Sequence, residues 1–255
     1  MLRCDDLMNG YHIWQDTDLF CFGIDAVLLA HYPALRRGDR ILDLGTGFGP
    51  IPLILRAEAE KKGLIPGIRI TGLELQHTAA SLADQSVREN GLSEEIEIRE
   101  GDIREAEALF GPASFSLITC NPPYMAAKEG LISENEGRAI ARTEICCTLE
   151  DVIRISSRLL KMSGRLALIH RPHRLPEIFG LMRAHHLEPK RLRMVHPVSD
   201  AEPSMVLIEA VHGGRPYLTV EPPLVVYTKD RTYTEEIYRI YGWNPVSGGN
   251  TDRKS

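Results

Sequence analysis

Residues Asn121-Pro122-Pro123-Tyr124 form a pattern that could do chemistry. Two consecutive prolines stiffen the chain and leave nearby carbonyl oxygens available as acceptors. The side-chain oxygen of Asn121 and the carbonyl of Pro122 can accept both hydrogens of a planar NH2 group, and Tyr124 can stack on that group. A proline-stiffened turn is the purely structural alternative. We take Asn121, Pro122 and Tyr124 as candidate catalytic residues that orient an amine or amide nitrogen for attack.

A glycine-rich segment, Asp43-Leu44-Gly45-Thr46-Gly47-Phe48-Gly49, lies between an apolar run and a helical pattern. Its glycines allow a tight turn close to a ligand, as in a nucleotide-binding dehydrogenase or a methyltransferase. No Gly-Lys-Ser/Thr follows, which excludes a phosphate-binding P-loop. The Asp43 carboxylate would repel a pyrophosphate but suits the ammonium and sulfonium groups of S-adenosylmethionine. The residues predicted to bind this cofactor here are Asp43, Gly45, Thr46, Gly47 and Gly49.

Two more acids end successive predicted strands. Glu74 can accept hydrogen bonds from ribose hydroxyls, and Asp102 can accept from an adenine amino group; each could instead be a helix N-cap. Ligands of open α/β sheets bind at the carboxyl ends of strands, so three acids in these positions together favour a cofactor site. Four further residues complete the predicted cofactor set: Leu75, Ile103, Asn121 and Asp25.

Strand and helix patterns alternate along the chain, which predicts a doubly wound, Rossmann-like α/β sheet that is mostly parallel. The last two predicted strands, 191–196 and 205–211, have no helix between them and should pair antiparallel at one edge. The other predicted strands are 40–44, 68–74, 96–100, 115–120 and 164–170. The predicted helices are 24–35, 51–61, 77–90, 151–160, 175–185 and 234–241.

These elements divide the chain into three parts. Residues 1–35 should form a short hairpin, with its strands inside 11–22 and its turn at 16–18, and a helix packed on the core. Residues 36–244 should form the catalytic domain, and the polar tail 245–255 should be disordered. The segment 125–142 is a candidate lid or a plain surface connection.

The composition is that of an ordinary globular protein, with 255 residues, 43% hydrophobic and 25% charged. No apolar run is long enough to span a membrane, and early acids argue against a signal peptide. Cysteine spacing lacks a C-x-x-C pattern, so we expect reduced thiols, no metal and a cytoplasmic location. The cysteines are Cys4, Cys21, Cys120, Cys146 and Cys147.

Charge is distributed unevenly although the net charge is −5. In the stretch 158–193 only Glu177 and Glu188 oppose a run of basic residues, which predicts either a basic face for phosphates or solvated helix surfaces. That run comprises Arg158, Lys161, Arg165, Arg171, Arg174, Arg183, Lys190, Arg191 and Arg193.

These motifs resemble those of class I S-adenosylmethionine-dependent methyltransferases with an N-P-P-Y motif. The opening Gly10-Tyr11, Gln15 and Phe22 to Ala30, and the later Leu224 to Tyr227 and Tyr233 to Ile237, are similar to the bacterial tRNA1(Val) (adenine-37-N6)-methyltransferases. The resemblance covers about 10–211. It implies transfer of a methyl group from S-adenosylmethionine, leaving S-adenosylhomocysteine, to N6 of the adenosine 3′ of a tRNA anticodon. It also implies tRNA as partner; we favour a monomer.

Three alternatives stay open. A protein-glutamine methyltransferase of release factors would use the same motif on an amide, although such enzymes usually carry a helical domain before the glycine loop. A ribosomal RNA guanine-N2 methyltransferase usually has a duplicated domain. A non-catalytic cofactor-binding module would be expected to show a degraded motif.

Overall fold

A parallel sheet with helices on both faces forms the body of the protein in the computed structural model. The structure describes residues 1–7, 10–19, 21–122 and 147–243. Within these residues the strands are β1 Leu2–Leu7, β2 Tyr11–Asp16, β3 Arg40–Leu44, β4 Arg69–Glu74, β5 Ile96–Glu100, β6 Phe115–Cys120, β7 Leu160–His170, β8 Leu187–His196, β9 Met205–His212, β10 Thr219–Val220 and β11 Leu224–Val225. The helices are α1 Ile24–His31, α2 Pro50–Lys61, α3 His77–Glu89, α4 Ala106–Phe110, α5 Leu149–Leu159, α6 Leu175–Ala184 and α7 Glu235–Tyr241.

The strand order in the sheet is β10-β8-β9-β7-β6-β3-β4-β5, and β11 also pairs with β8. Strands β3 to β7 are parallel, which confirms the predicted doubly wound sheet. The predicted antiparallel pairing of β8 with β9 is also confirmed. The antiparallel strand, β9, lies between β7 and β8. It is therefore an internal strand, with β8 and β10 between it and the edge of the sheet. This order leaves β8 parallel to β7.

The core lies on both faces of the sheet. One apolar cluster joins α1, α2, α3 and α7 to the sheet, and the other joins α4, α5 and α6. Strand β3 is buried on both faces, as a central parallel strand must be. No helix in the described part of the chain combines the length and apolar character needed to cross a bilayer.

The N-terminal hairpin differs from its prediction. Its two strands are β1 and β2, with Leu7 opposite Tyr11, so the turn precedes Tyr11 and the predicted turn at residues 16–18 follows the hairpin. Gly10 supplies a positive φ of 87° next to the turn, and burial of Leu7 and Ile13 sets which face points inward. The outer edge of β2 is bound by α3 side chains, because Asn90 pairs with the His12 backbone at 2.9 and 2.7 Å.

Other boundaries also differ from their predictions. Helix α1 ends at His31 rather than residue 35, because Pro33 has no N–H to continue it. Helix α5 begins earlier, since Thr148 and Asp151 form a capping box. Helix α4 and the preceding 3-10 turn Ile103–Glu105 were not predicted. The candidate lid 125–142 and the tail 245–255 lie outside the described residues, and the three-part division of the chain stays a prediction.

A buried ion pair ties the amino ends of three strands together. Arg165 at 1% exposure binds Asp39 at 2.9 Å and the carbonyl of Ala34. The second oxygen of Asp39 accepts from the Ser116 hydroxyl at 2.7 Å. The loop before β3 is therefore bound to β6 and β7 by one carboxylate.

Replacing Asp39 by alanine should lower the free energy of unfolding by about 3–5 kcal/mol, because it leaves the Arg165 charge buried without its partner. Urea denaturation measures this difference. The matched control is Arg183→Ala, which breaks an ion pair with Glu188 in which the arginine side chain is 65% exposed. The control variant should lose less than about 1 kcal/mol of its free energy of unfolding. Equal losses in the two variants would contradict the special role of the buried pair.

Candidate active site

The carboxyl ends of four parallel strands collect most of the predicted site residues. In the sheet, Leu44 of β3 is paired with both Leu73 of β4 and Cys120 of β6. Glu74 of β4 is paired with Glu100 of β5. The glycine loop, Glu74, the segment after β5 and the Asn121 motif therefore emerge side by side along one edge. The prediction that these motifs share one site is supported by this register.

The glycine loop is held against β4 by its backbone. The N–H groups of Gly45 and Thr46 both donate to the Leu73 carbonyl, at 2.9 and 3.0 Å. Gly47 has φ 57°, and a Cβ there would meet nothing within 4 Å, so space is open beside it. Gly49 has φ 84°, and a Cβ would lie only 3.2 Å from that of Ala83, so here glycine also permits close packing of α2 on α3.

Asp43 is fully buried at the end of β3, directly before this loop. Its Oδ1 accepts a hydrogen bond from the Thr119 hydroxyl at 2.7 Å. Its Oδ2 and the Thr46 hydroxyl are buried and have no hydrogen-bond partner among the described residues. Burial raises the pKa of Asp43 to about 7, against the opposing Thr119 bond, and the charge of Glu74 adds to this rise. A carboxylate oxygen in this state fits a cationic ligand that replaces its lost hydration.

Glu74 holds the loop by its side chain. Its Oε2 accepts from the Gly47 N–H at 2.9 Å and its Oε1 accepts from the Gln76 N–H at 2.8 Å. Both oxygens keep further lone pairs, so the predicted ribose contact is compatible with these bonds. The side chain does not cap α3, since the N-cap position is Gln76.

Asp102 does act as a helix N-cap, the alternative that the sequence left open. It accepts from the Arg104 N–H at 2.8 Å and caps the 3-10 turn Ile103–Glu105. Its carboxylate also binds the Arg104 guanidinium, and these hydrogen bonds lower the pKa of Asp102. A bound adenine would share this carboxylate with Arg104, so the predicted adenine contact stays a prediction.

Two apolar side chains flank these acids. Leu75, immediately after Glu74, is 44% exposed although it is a large hydrophobic residue. Ile103, immediately after Asp102, is half-buried. An exposed apolar side chain next to a polar site is suited to the face of a planar ring.

The Asn121 motif is only partly within the described residues. Asn121 is half-buried and Pro122 is buried, directly after β6. Pro123 and Tyr124 lie outside the described residues, so the stacking role of Tyr124 stays a prediction. Asp25 is buried in the first turn of α1 and accepts from its own helix, at Ala26 N–H. The cofactor role of Asp25 also stays a prediction.

Sequence reasoning missed three residues that shape the site. Thr119 lies directly opposite Asp43 in the β3–β6 register and supplies its hydrogen bond. Gly72 makes room for Thr46, because a Cβ there would lie 2.8 Å from the threonine methyl group. A lone glycine inside a strand was the available signal for Gly72. His170, buried at the end of β7, has its pKa lowered to about 4, first by burial and then by Arg174, so its imidazole is neutral.

The predicted basic face is largely neutralised by acids from elsewhere in the chain. The ion pairs are Arg158–Glu107, Arg165–Asp39, Arg174–Glu177, Arg183–Glu188, Arg191–Glu209, Arg191–Glu221 and Arg193–Glu236. Two of these pairs use Glu177 and Glu188, and folding brings the acids of the other five from outside the stretch. The basic face itself stays a prediction. Arg171 and Arg174 are the members next to the carboxyl end of β7, since Arg171 precedes and Arg174 ends the 3-10 turn Pro172–Arg174 directly after that strand.

Comparisons with known proteins agree on one class of enzyme. The chain matches the model of the methyltransferase small domain over residues 12–179. It is 34% identical over 193 residues to the tRNA1(Val) (adenine(37)-N6)-methyltransferase of Porphyromonas gingivalis, covering 73% of this chain and 72% of that relative. The protein of the same name from Mannheimia succiniciproducens is 28% identical over 232 residues, with 90% and 89% covered. The crystal structure of a predicted O-methyltransferase from Agrobacterium tumefaciens has TM-score 0.68 at 26% identity, covering 86% of this chain and 95% of that one.

Replacing Asp43 by asparagine should stabilise the protein when no ligand is bound. Because the folded-state pKa of Asp43 is raised from 3.8 to about 7, the free energy of unfolding falls as pH rises from about 4 to about 7 and stays at the lower value above that range. At about pH 8 we expect Asp43→Asn to raise the free energy of unfolding by on the order of 1–4 kcal/mol. The gain should shrink at about pH 5, where the folded protein already holds the proton.

Urea denaturation at the two pH values measures the effect, and Asp102→Asn is the matched control. The pKa of Asp102 is lowered, so its replacement should reduce stability at about pH 8. If Asp43→Asn is less stable than the wild type at that pH, hydrogen bonds within the protein already compensate the desolvation of the Asp43 carboxylate, and this prediction is wrong.

Proposed function

This chain belongs to the methyltransferase small domain family and to the group of tRNA1(Val) (adenine(37)-N6)-methyltransferases within it, and we propose from that premise that it methylates N6 of the adenosine 3′ of a tRNA anticodon. S-adenosylmethionine is the methyl donor and S-adenosylhomocysteine the product. The reaction takes place in the cytoplasm, where tRNA is found.

One observation carries this proposal: Asn121 emerges beside the glycine loop that follows Asp43. The pairing of Leu44 with Cys120 places the residues after each strand next to one another. A nitrogen bound at Asn121 therefore lies next to whatever ligand the loop holds. Positioning two reactants in this way supplies much of the catalysis of a transfer reaction.

The residues present fit S-adenosylmethionine. The buried Oδ2 of Asp43 and the Thr46 hydroxyl can accept hydrogen bonds from its ammonium group. Glu74 can accept from the ribose and Asp102 from the adenine amino group, with Leu75 and Ile103 on either side of the ring. When bound, this cofactor supplies an electrophilic methyl group on a sulfonium. The open space beside Gly47 allows a ligand to approach the backbone.

The role of the protein towards the target base is to hold its exocyclic nitrogen in position. Asn121 and the Pro122 carbonyl accept its two hydrogens, which directs the nitrogen lone pair towards the donor. Tyr124 would stack on the base and exclude water. After the methyl group is attached, the nitrogen loses one proton, which solvent can accept, so the site needs no strong base.

An unpaired loop base suits this site better than one inside a duplex. Extruding a base from a loop costs less than unstacking it from a helix. Arg171 and Arg174, next to the site, are placed to bind phosphates that position the RNA. A glutamine amide presents a similar NH2 group, and methylation of a release factor is the second candidate, favoured by the same Asn121 geometry.

Deleting the gene should remove N6-methyladenosine from one position next to the anticodon, and Asn121→Ala should not restore it. Nucleoside mass spectrometry of tRNA digests measures the mark. The variant should keep its affinity for S-adenosylmethionine, since Asn121 addresses the substrate, and isothermal titration tests this. Unchanged tRNA with an under-methylated release factor would instead establish the second candidate.

Reversing the charges of Arg171 and Arg174 together should weaken tRNA binding roughly tenfold at low salt. It should also reduce the slope of log affinity against log salt concentration by about one to two. Filter binding across a salt series measures both. The matched control is Arg183→Glu, from the same basic run but in the last turn of α6. If the control weakens binding as much, the contact is not specific to the end of β7.

A further inference from the structure

The C-terminal part of the described chain carries a cluster of aromatic rings, here called the aromatic platform. It comprises Tyr227, Tyr233, Tyr238, Tyr241 and Trp243. Tyr227 stacks on Tyr233 at 5.1 Å between centroids, and Tyr233 stacks on Tyr241 at 5.7 Å. Trp243 stacks on Tyr241, with 4.6 Å between the ring centroids and an angle of 30° between the two ring planes. The rings of Tyr227, Tyr233 and Tyr241 are thus nearly parallel, whereas Tyr238 meets Tyr233 edge-on at 87°.

The platform lies at the same edge of the sheet as the glycine loop. Strand β11 is parallel to β8, and β8 is parallel to β7, so all three end at this edge. The N–H of Tyr227 donates to the Pro197 carbonyl at 2.8 Å, at the start of the turn between β8 and β9. Arg171, after β7, donates to the Ser204 carbonyl at 2.9 Å, at the end of that turn.

Helices α1 and α7 contact each other, which places the platform near α1. Burial raises the pKa of Tyr241, and the neighbouring Tyr233, Tyr227 and Asp25 add to this rise. Asp25 lies in the first turn of α1. Because α1 runs from this edge towards the amino end of β3, the platform and the active site open on the same side of the molecule.

The platform is anchored to the sheet rather than loosely attached. Both nitrogens of the Arg193 fork bind Glu236 of α7, at 2.7 and 2.8 Å, and Ile237 is fully buried. The Thr234 hydroxyl donates to the Val225 carbonyl at 2.7 Å. A bidentate arginine–carboxylate pair fixes orientation as well as distance. The rings therefore hold a set position relative to the strand ends.

The surroundings of the platform offer an exposed ring and several cations to a planar ligand that carries phosphates, with the exposed acids Asp230 and Glu235 among those cations. Trp243 is 43% exposed, so the set of rings ends at an indole that contacts solvent. Exposed basic side chains lie on the turn before Tyr233 and on α7, namely Lys229, Arg231 and Arg239. These three side chains form no ion pair with another described residue. Unpaired RNA bases stack on such rings while nearby cations bind the phosphates.

We propose that the aromatic platform is an RNA-binding surface on which an unpaired base next to the target adenosine stacks, with Trp243 as the contacting ring. This inference rests on the proposed function. It assigns to the platform the task of holding the loop open beside Asn121, which the phosphate contacts of Arg171 and Arg174 cannot do. A cluster that serves only to anchor α7 would need no exposed indole.

Fluorescence of a single indole tests the contact directly. The chain has two tryptophans, Trp14 and Trp243, so Trp14→Phe leaves Trp243 as the reporter. An RNA stem-loop with an adenosine in its loop should quench this fluorescence on binding. The same titration of Trp243→Phe, where Trp14 on the far side of α3 is the reporter, should show little change. Quenching in neither protein, despite measurable binding, would overturn the proposal.

Affinity gives the second measurement. Trp243→Ala should weaken binding of the stem-loop roughly 5-fold or more, the loss expected for one stacked base, while Trp243→Phe keeps most of the affinity. Stem-loops with one abasic site, on either side of the adenosine, locate the stacked base. The wild type should bind one of these abasic stem-loops more weakly than the intact one. The Trp243→Ala variant, which has already lost the stacking ring, should bind that abasic stem-loop and the intact one equally well.

The matched control is Tyr217→Ala, because Tyr217 is 74% exposed but lies before β10, at the other end of β8. Its affinity for RNA should stay unchanged. Unchanged affinity for S-adenosylmethionine shows that Trp243→Ala is folded. If Trp243→Ala binds and methylates the RNA like the wild type, this inference fails and the proposed function stands. If the wild type neither binds nor methylates RNA, the proposed function itself fails.

Discussion

The parallel pairing of β3 with β4 on one side and β6 on the other is the constraint on which the site depends. Parallel strands in register end at one level, so three chain segments separated by some 30 to 50 residues emerge together. The glycine loop then bonds to the Leu73 carbonyl and to Glu74, and Asp43 bonds to Thr119. Each functional segment is therefore bound by the strand next to its own, and the site is as rigid as the sheet beneath it.

Charge in this protein is used mainly inside the fold. Asp43 is kept where burial raises its pKa, at a cost in stability that a cationic ligand can offset. Most arginines of the basic run bind acids from other elements, so they join α4, β8, β9 and α7 to one another. The balance leaves few cations near the strand ends. The proposed recognition of an RNA therefore combines phosphate contacts with stacking on the aromatic platform.

The N-terminal and C-terminal segments pack at different places around the site. The N-terminal hairpin packs on α3 through side-chain bonds to its backbone, on the face that carries α1 and α2. The C-terminal segment returns along β8, and Arg193 fixes α7 there. Helices α1 and α7 contact each other, so the beginning and the end of the described chain meet beside the strand ends.

The amino-acid sequence by itself determined the alternation of strands and helices, the glycine loop, and the acids at successive strand ends, because these follow from local periodicity and from residues whose chemistry is independent of context. It also predicted that Asn121 orients a planar nitrogen, and that role stays a prediction. The insertion of β9 between β7 and β8, the pairing of β1 with β2, and the partners of the arginines were decided only by tertiary structure. Each of these depends on contacts between residues far apart in the chain, where a charge finds its partner by burial and register. The same physics decided that Thr119 and Gly72 belong to the site, since only the strand register shows what lies opposite Asp43 and beneath Thr46.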